Sequence, residues 1–128
     1  MRYYLAQGMP AKKINLGLPF YGRGWTGVSP AGHGPYQPAA DGAEELDEKG
    51  IDDYKRIAAL PAPVYRDAAT DQVWKFDGTP WWTYDDAQVI AAKMAYVKKM
   101  GLGGAIAWSL DGDDMNATLL KAMAAGLR

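Results

Sequence analysis

The side chains that could carry chemistry are few in type. The 128 residues include five Trp, eight Tyr, one His and no Cys. Without a thiol there is no Cys nucleophile, thiolate zinc site or disulfide, and a single His builds neither a Ser-His dyad nor a multi-His metal site. His33 sits between Gly32 and Gly34, where a solvent-facing loop residue is expected. The three Glu residues are 44, 45 and 48, close together in one acidic stretch. DGDDMN at 111–116 resembles a calcium loop, but Met115 occupies a ligand position, the glycine is displaced and the bidentate Glu is missing. Helix capping by these acids is the simpler expectation. Neither LGLPFYG nor GLGGA has phosphate-loop spacing, so no metal or cofactor is expected. What remains is binding surface: Tyr21, Arg23 and Trp25 follow one short apolar run, and Trp108 ends another.

Those two runs, INLGLPF at 14–20 and GGAIAWSL at 103–110, read as strands buried on both faces. Between them the period is helical from Asp85, with Ile90, Met94 and Val97 on one face, an Asp85/Gln88 capping box and Gly101 at the end. Two apolar strands joined through a helix predict a parallel pairing. A last helix is expected from about Asn116, carrying Leu119, Leu120 and Met123. Residues 21–42, rich in Gly, Pro and Ala, read as an irregular excursion. The acids of 41–53 followed by Tyr54, Ile57 and Leu60 predict a helix from about Asp47 to Leu60, with Asp52–Arg56 and Glu45–Lys49 as solvent-facing pairs. PVYRD, QVWKF and PWWTY predict a small antiparallel sheet, with Asp77-Gly78 as a hairpin turn pair. Adjacent Trp81 and Trp82 must then face opposite sides, and both are expected to pack in a core.

Four segments together resemble the chitinase branch of the family 18 glycoside hydrolases: KKINLGLPFYGRGW at 12–25, GIDDYKRI at 50–57, WWTYDDAQVIAAKMAYVKKMGLGGAIAW at 81–108 and SLDGDD at 109–114. The resemblance implies an α/β fold, a partial TIM (β/α)8 barrel. Strands 7 and 8 with their helices would occupy 1–25 and 83–128, and a small α+β insertion domain would occupy 26–82. Length agrees, since a barrel of about 250 residues allots roughly 31 to each βα unit. Such a piece lacks the first six strands and is expected to be poorly stable or self-associating alone.

The resemblance also implies hydrolysis of β-1,4-linked N-acetylglucosamine polymers with retention, the substrate's acetamido oxygen acting as nucleophile and one Glu as general acid. That Glu belongs to a D-x-x-D-x-D-x-E motif. The nearest approach here, DGAEELDE at 41–48, places Leu46 where an Asp is required, so no catalytic residue is expected in this chain, which alone should be inactive. Trp108 would floor the subsite of the reacting sugar, with Arg23 as a polar wall, Tyr21 as subsite wall or core, and Trp25 at an outer subsite. An indole suits the apolar face of a pyranose, and a guanidinium donates to hydroxyl or carbonyl oxygens. Arg23 could equally pair with Asp111, and Trp108 could be a core residue. Glu48 and Asp67 are expected to cap or hydrogen-bond.

The partners implied are chitin or N-acetylglucosamine oligosaccharides and the missing N-terminal part of the barrel. Secretion is inferred from that polymeric substrate. A noncatalytic chitin-binding lectin is the alternative. With 14 Lys and Arg against 15 Asp and Glu there is no basic stripe for nucleic acid and no polybasic reason to sit on a membrane.

Overall fold

A computed structural model of the chain describes residues 1–44 and 48–127. In chain order the elements are α1 (Arg2–Ala6), β1 (Asn15–Pro19), β2 (Tyr21–Thr26), β3 (Asp41–Gly42), β4 (Ile51–Asp53), α2 (Tyr54–Ala59), β5 (Val64–Asp67), β6 (Gln72–Lys75), β7 (Trp81–Tyr84), α3 (Ala87–Lys99), β8 (Gly104–Trp108) and α4 (Thr118–Leu127). No described helix is long and apolar enough to cross a membrane.

Two sheets share the chain. β1 and β8 form a parallel pair, Asn15 opposite Gly104 and Pro19 opposite Trp108, with α3 leading back between them. Leu18 is buried beneath this pair with Ile90, Met94 and Leu119. The opposite face is open: Ile106 and Trp108 are exposed, so these strands are covered on one side only. Each has a single partner and one unpaired edge among the described residues, and such edges recruit further strands.

The second sheet runs β3-β2-β7-β6-β5, with β4 also on β2. Here the structure corrects the expected excursion over 21–42, because Tyr21–Thr26 is a strand bonded to β3, β4 and β7. Its alternation is Tyr, Gly, Arg, Gly, Trp, and the inward positions carry no side chain to mark them. A Cβ on Gly24 would stand 2.5 Å from the Trp82 ring, so the glycine lets the indole lie against the backbone. Trp82 is accordingly buried in the main core, while Trp81 faces the other way, as alternation requires.

The expected helix over 47–60 is shorter. Ile51–Asp53 is the strand β4, paired with Tyr21–Arg23, and only Tyr54–Ala59 is helical. Asp52 is therefore a strand residue, 6% exposed, and its contact with Arg56 is a part-buried ion pair rather than a solvent-facing one. Of the other expected pair, Glu45 lies outside the described residues, and Lys49 meets Asp41 at 2.5 Å and Glu44 at 3.2 Å. The buried Lys75 ammonium closes the end of α2 by donating to the carbonyls of Ala58 and Leu60, both at 2.6 Å, and burial pushes its pKa down.

β5, β6 and β7 form the antiparallel sheet read from the sequence, and Asp77-Gly78 lies in the β6–β7 connection. Asp67 closes the β5–β6 turn by accepting from Ala69 N at 2.8 Å and Thr70 Oγ1 at 2.9 Å. The α3 cap is one residue later than expected: Asp86 accepts from Val89 N at 2.9 Å.

α4 begins at Thr118 and is held by the two acids expected to cap it. Asp113 accepts from the amides of Leu119 and Leu120, and Asp114 from Thr118 N and Oγ1 at 3.0 and 2.7 Å. The Thr118 hydroxyl, with backbone amides, holds the Asp114 carboxyl below its ordinary 3.8. A lowered folded pKa means stabilisation that is complete above 3.8 and is lost as pH falls through the lowered value. Acidification below 3.8 is therefore expected to expose the Thr118 amide, read as loss of its hydrogen-exchange protection. Persistence of protection to full protonation would contradict this.

Candidate functional site

One residue, Phe20, separates β1 from β2, and it organises the site. Its side chain is wholly buried, its amide donates to the Trp108 carbonyl at 2.8 Å, and its carbonyl accepts from Tyr54 N at 2.9 Å. The end of the parallel pair, the start of the second sheet and the start of α2 therefore meet there. Trp108 at the end of β8, Tyr21 and Arg23 on one face of β2, and Asp53 and Ile51 on the paired face of β4 all border one cleft of about 250 Å3, with Glu48 and Ser109.

Arg56 and Arg66, which do not line this cleft, are ion-paired, whereas Arg23, which does, makes no ion pair with any described residue. Its guanidinium carbon lies 5.9 Å from the centre of the Tyr21 ring, within cation–π range. The expected alternative, Arg23 with Asp111, is not formed. Asp111 instead accepts from the Ser109 hydroxyl, which holds its carboxyl below the ordinary value, and its carbonyl accepts from Lys55 Nζ at 2.5 Å. Lys55 also meets Asp53 at 3.1 Å. Trp108 is 70% exposed and is no core residue among those described. An open indole, a phenol and a guanidinium without an ion pair among the described residues have the chemistry to meet a neutral ring that has an apolar face and oxygen acceptors.

The structure brings Trp108, Arg23 and Tyr21 to one cleft and sets Trp25, expected at an outer subsite, apart from them. Trp25 stands further along β2 against Trp81, ring centres 5.6 Å apart, beside a separate pocket of about 230 Å3. Ile51, Asp53 and Ser109 were missed as lining residues. The period-2 match of 51 and 53 with 21 and 23 becomes visible only when GIDD is read as a strand. Glu48, expected to cap, uses its backbone for that, accepting from Ile51 N at 3.0 Å, while its exposed side chain borders the cleft. The DGAEELDE segment cannot be described as a whole, since 45–47 lie outside the described residues.

A larger cleft, about 510 Å3, lies across the Tyr21–Arg23 ridge between α3 and the β5–β6 turn. Burial pushes the Asp85 carboxyl up there, and the Lys93 ammonium partly restrains the shift. Those two charges answer each other, and Tyr21, Arg23 and Asp71 line this larger space as well. No group of His, Asp and Glu among the described residues is arranged to hold a metal. His33 is exposed, as expected, and its ring stacks on Tyr65 at 4.2 Å.

The sequence model of the family described as Glycosyl hydrolases family 18 matches residues 1–113. Chitinase 63 of Streptomyces plicatus is 38% identical over 128 residues, covering 100% of this chain and 20% of the relative. The chain thus spans about a fifth of that relative's length. Among solved structures, the catalytic domain of the psychrophilic chitinase B from Arthrobacter TAD20 superposes with a TM-score of 0.88 at 41% identity, over 99% of this chain and 28% of that one. Human YKL-39, described as a pseudo-chitinase with retained chitooligosaccharide binding, superposes with a TM-score of 0.87 at 27% identity, over 98% and 38%. These likenesses give the chain an α/β fold of TIM-barrel type.

Proposed function

Because the chain belongs to glycosyl hydrolases family 18, we propose that residues 1–128 form the binding part of a chitinase that hydrolyses β-1,4-linked N-acetylglucosamine polymers. In this reading β1 and β8 are the last two strands of a (β/α)8 barrel, residues 26–82 are an insertion domain, and the remaining strands come from the same polypeptide. The unpaired edges of β1 and β8 and the open Ile106–Trp108 face support it. Action on a polymer too large to enter cells places the protein outside the cell.

The observation that carries the reading is the convergence of the exposed Trp108 indole with the unpaired Arg23 and Tyr21. The indole underlies the sugar ring, Arg23 and Tyr21 donate to its oxygens, and the acetamido oxygen attacks the anomeric carbon while a Glu elsewhere in the protein protonates the leaving oxygen. This chain orients the ring and supplies no general acid.

The full-length protein is expected to cleave N-acetylglucosamine oligomers, releasing β-anomeric product first, while residues 1–128 alone give no turnover. NMR of the fresh product distinguishes the anomers. Inverted product, or turnover by residues 1–128, would refute the mechanism. Binding without turnover by the full-length protein supports the lectin reading, which the likeness to YKL-39 favours.

A further inference from the structure

The Trp108 indole is exposed, so its direction is set by the backbone on either side of it rather than by packing among the described residues. On the β1 side the Trp108 carbonyl accepts from Phe20 N at 2.8 Å. After it comes the short turn Leu110–Gly112, closed by Gly112 N donating to the Ser109 carbonyl at 3.0 Å. That turn is seated on the start of the second sheet. Gly112 is buried, and a Cβ there would stand 2.3 Å from the Phe20 carbonyl oxygen and 3.4 Å from Asp53 Oδ1. Close seating limits how near the turn can come but does not hold it there.

One side chain fastens it across. Lys55, in the first turn of α2, donates through Nζ to the Asp111 carbonyl at 2.5 Å and meets Asp53 Oδ2 at 3.1 Å. An ammonium has three donors and no acceptor, so a single group serves the carbonyl and the carboxylate together. Within the turn the Asp111 carboxylate accepts from the Ser109 hydroxyl, which passes the hold back to the residue beside Trp108. Trp108, Ser109 and Asp53 border the cleft, and Lys55 does not. It joins the two walls from behind, where it leaves the space between them free.

We propose that Lys55 is a positioning residue for Trp108: through Asp53 and the Asp111 carbonyl it fixes the turn after β8, and with it the face that the indole presents to the cleft. Region 26–82 thereby governs the aim of a side chain that belongs to the parallel pair. The consequence for binding rests on the saccharide reading of that cleft, whereas the consequence for the indole does not.

The test uses the full-length protein labelled with 5-fluorotryptophan, together with its Lys55→Met, Lys55→Arg and Trp108→Ala variants and the Lys55→Met/Trp108→Ala double variant. Fluorine NMR reads the indoles without ligand, the Trp108 signal being the one that Trp108→Ala removes. Lys55→Met is expected to shift or broaden that signal and to leave those of Trp25, Trp74, Trp81 and Trp82 in place. Lys55→Arg, whose guanidinium can donate to both oxygens, should restore it. In calorimetric titration with the N-acetylglucosamine tetramer, Lys55→Met is expected to weaken binding about fivefold alone and to have no effect on top of Trp108→Ala. An unmoved Trp108 signal in Lys55→Met would overturn the positioning role. So would movement of all five signals, which would make Lys55 a residue of general structure, or a fivefold loss that persists without Trp108. Unchanged tetramer affinity in Trp108→Ala would overturn the saccharide reading instead, leaving the fluorine result to decide the role of Lys55.

Discussion

Trp108→Ala in the full-length protein is expected to lower affinity for N-acetylglucosamine oligomers on the order of 100-fold. The indole borders the cleft at the end of β8 and is 70% exposed in residues 1–128, so its face is not taken up by packing among the described residues. A flat apolar face on a cleft wall is where binding energy concentrates. Trp108→Phe keeps an aromatic face and should recover part of the loss. A melting temperature that falls with the affinity would make Trp108 a structural residue. Unchanged affinity would remove it from the site.

The largest effect on stability is expected from Asp86→Ala, a loss of about 2–3 kcal/mol by urea unfolding. Asp86 caps α3 through Val89 N, and its other carboxylate oxygen accepts from Arg66 on β5. One small side chain therefore ties the outer strand of the second sheet to the long helix under the parallel pair. A lost cap costs about 1 kcal/mol. The rest comes from Arg66, about three-quarters buried and already carrying a buried NH1 without a partner, which would be left with none for NH2 either. Asp86→Asn keeps the capping oxygen and removes the charge, so it should cost visibly less. Equal losses in the two variants would show the charge to be the whole effect, and a loss below about 0.5 kcal/mol for Asp86→Ala would show neither contact to matter.

The elements with strong periodicity were legible. α3 carries an uninterrupted apolar face, and β1 and β8 are continuous apolar runs, so their parallel pairing followed from the helix between them. β2 was hidden because its inward residues are Gly22 and Gly24, which give alternation nothing apolar to show, although Trp82 fills the space they leave. β4 was hidden among acids whose charge reads as a solvated helix face, yet Asp52 is buried against Arg56. The site followed the same division. Trp108 ends β8, and Tyr21 and Arg23 follow β1 directly in the sequence, so the family resemblance could single them out. Ile51 and Asp53 depend on cross-strand register, and the separation of Trp25 from Trp108 depends on how far β2 continues, neither of which composition records.

The single-residue link at Phe20 fixes the width of the Trp108 cleft, the proposed saccharide groove. With its ring locked in the core and both backbone groups bonded, the two walls cannot hinge apart without breaking the Phe20–Trp108 and Phe20–Tyr54 hydrogen bonds. Such a groove meets its guest already shaped, so little of the contact energy is consumed in ordering the protein.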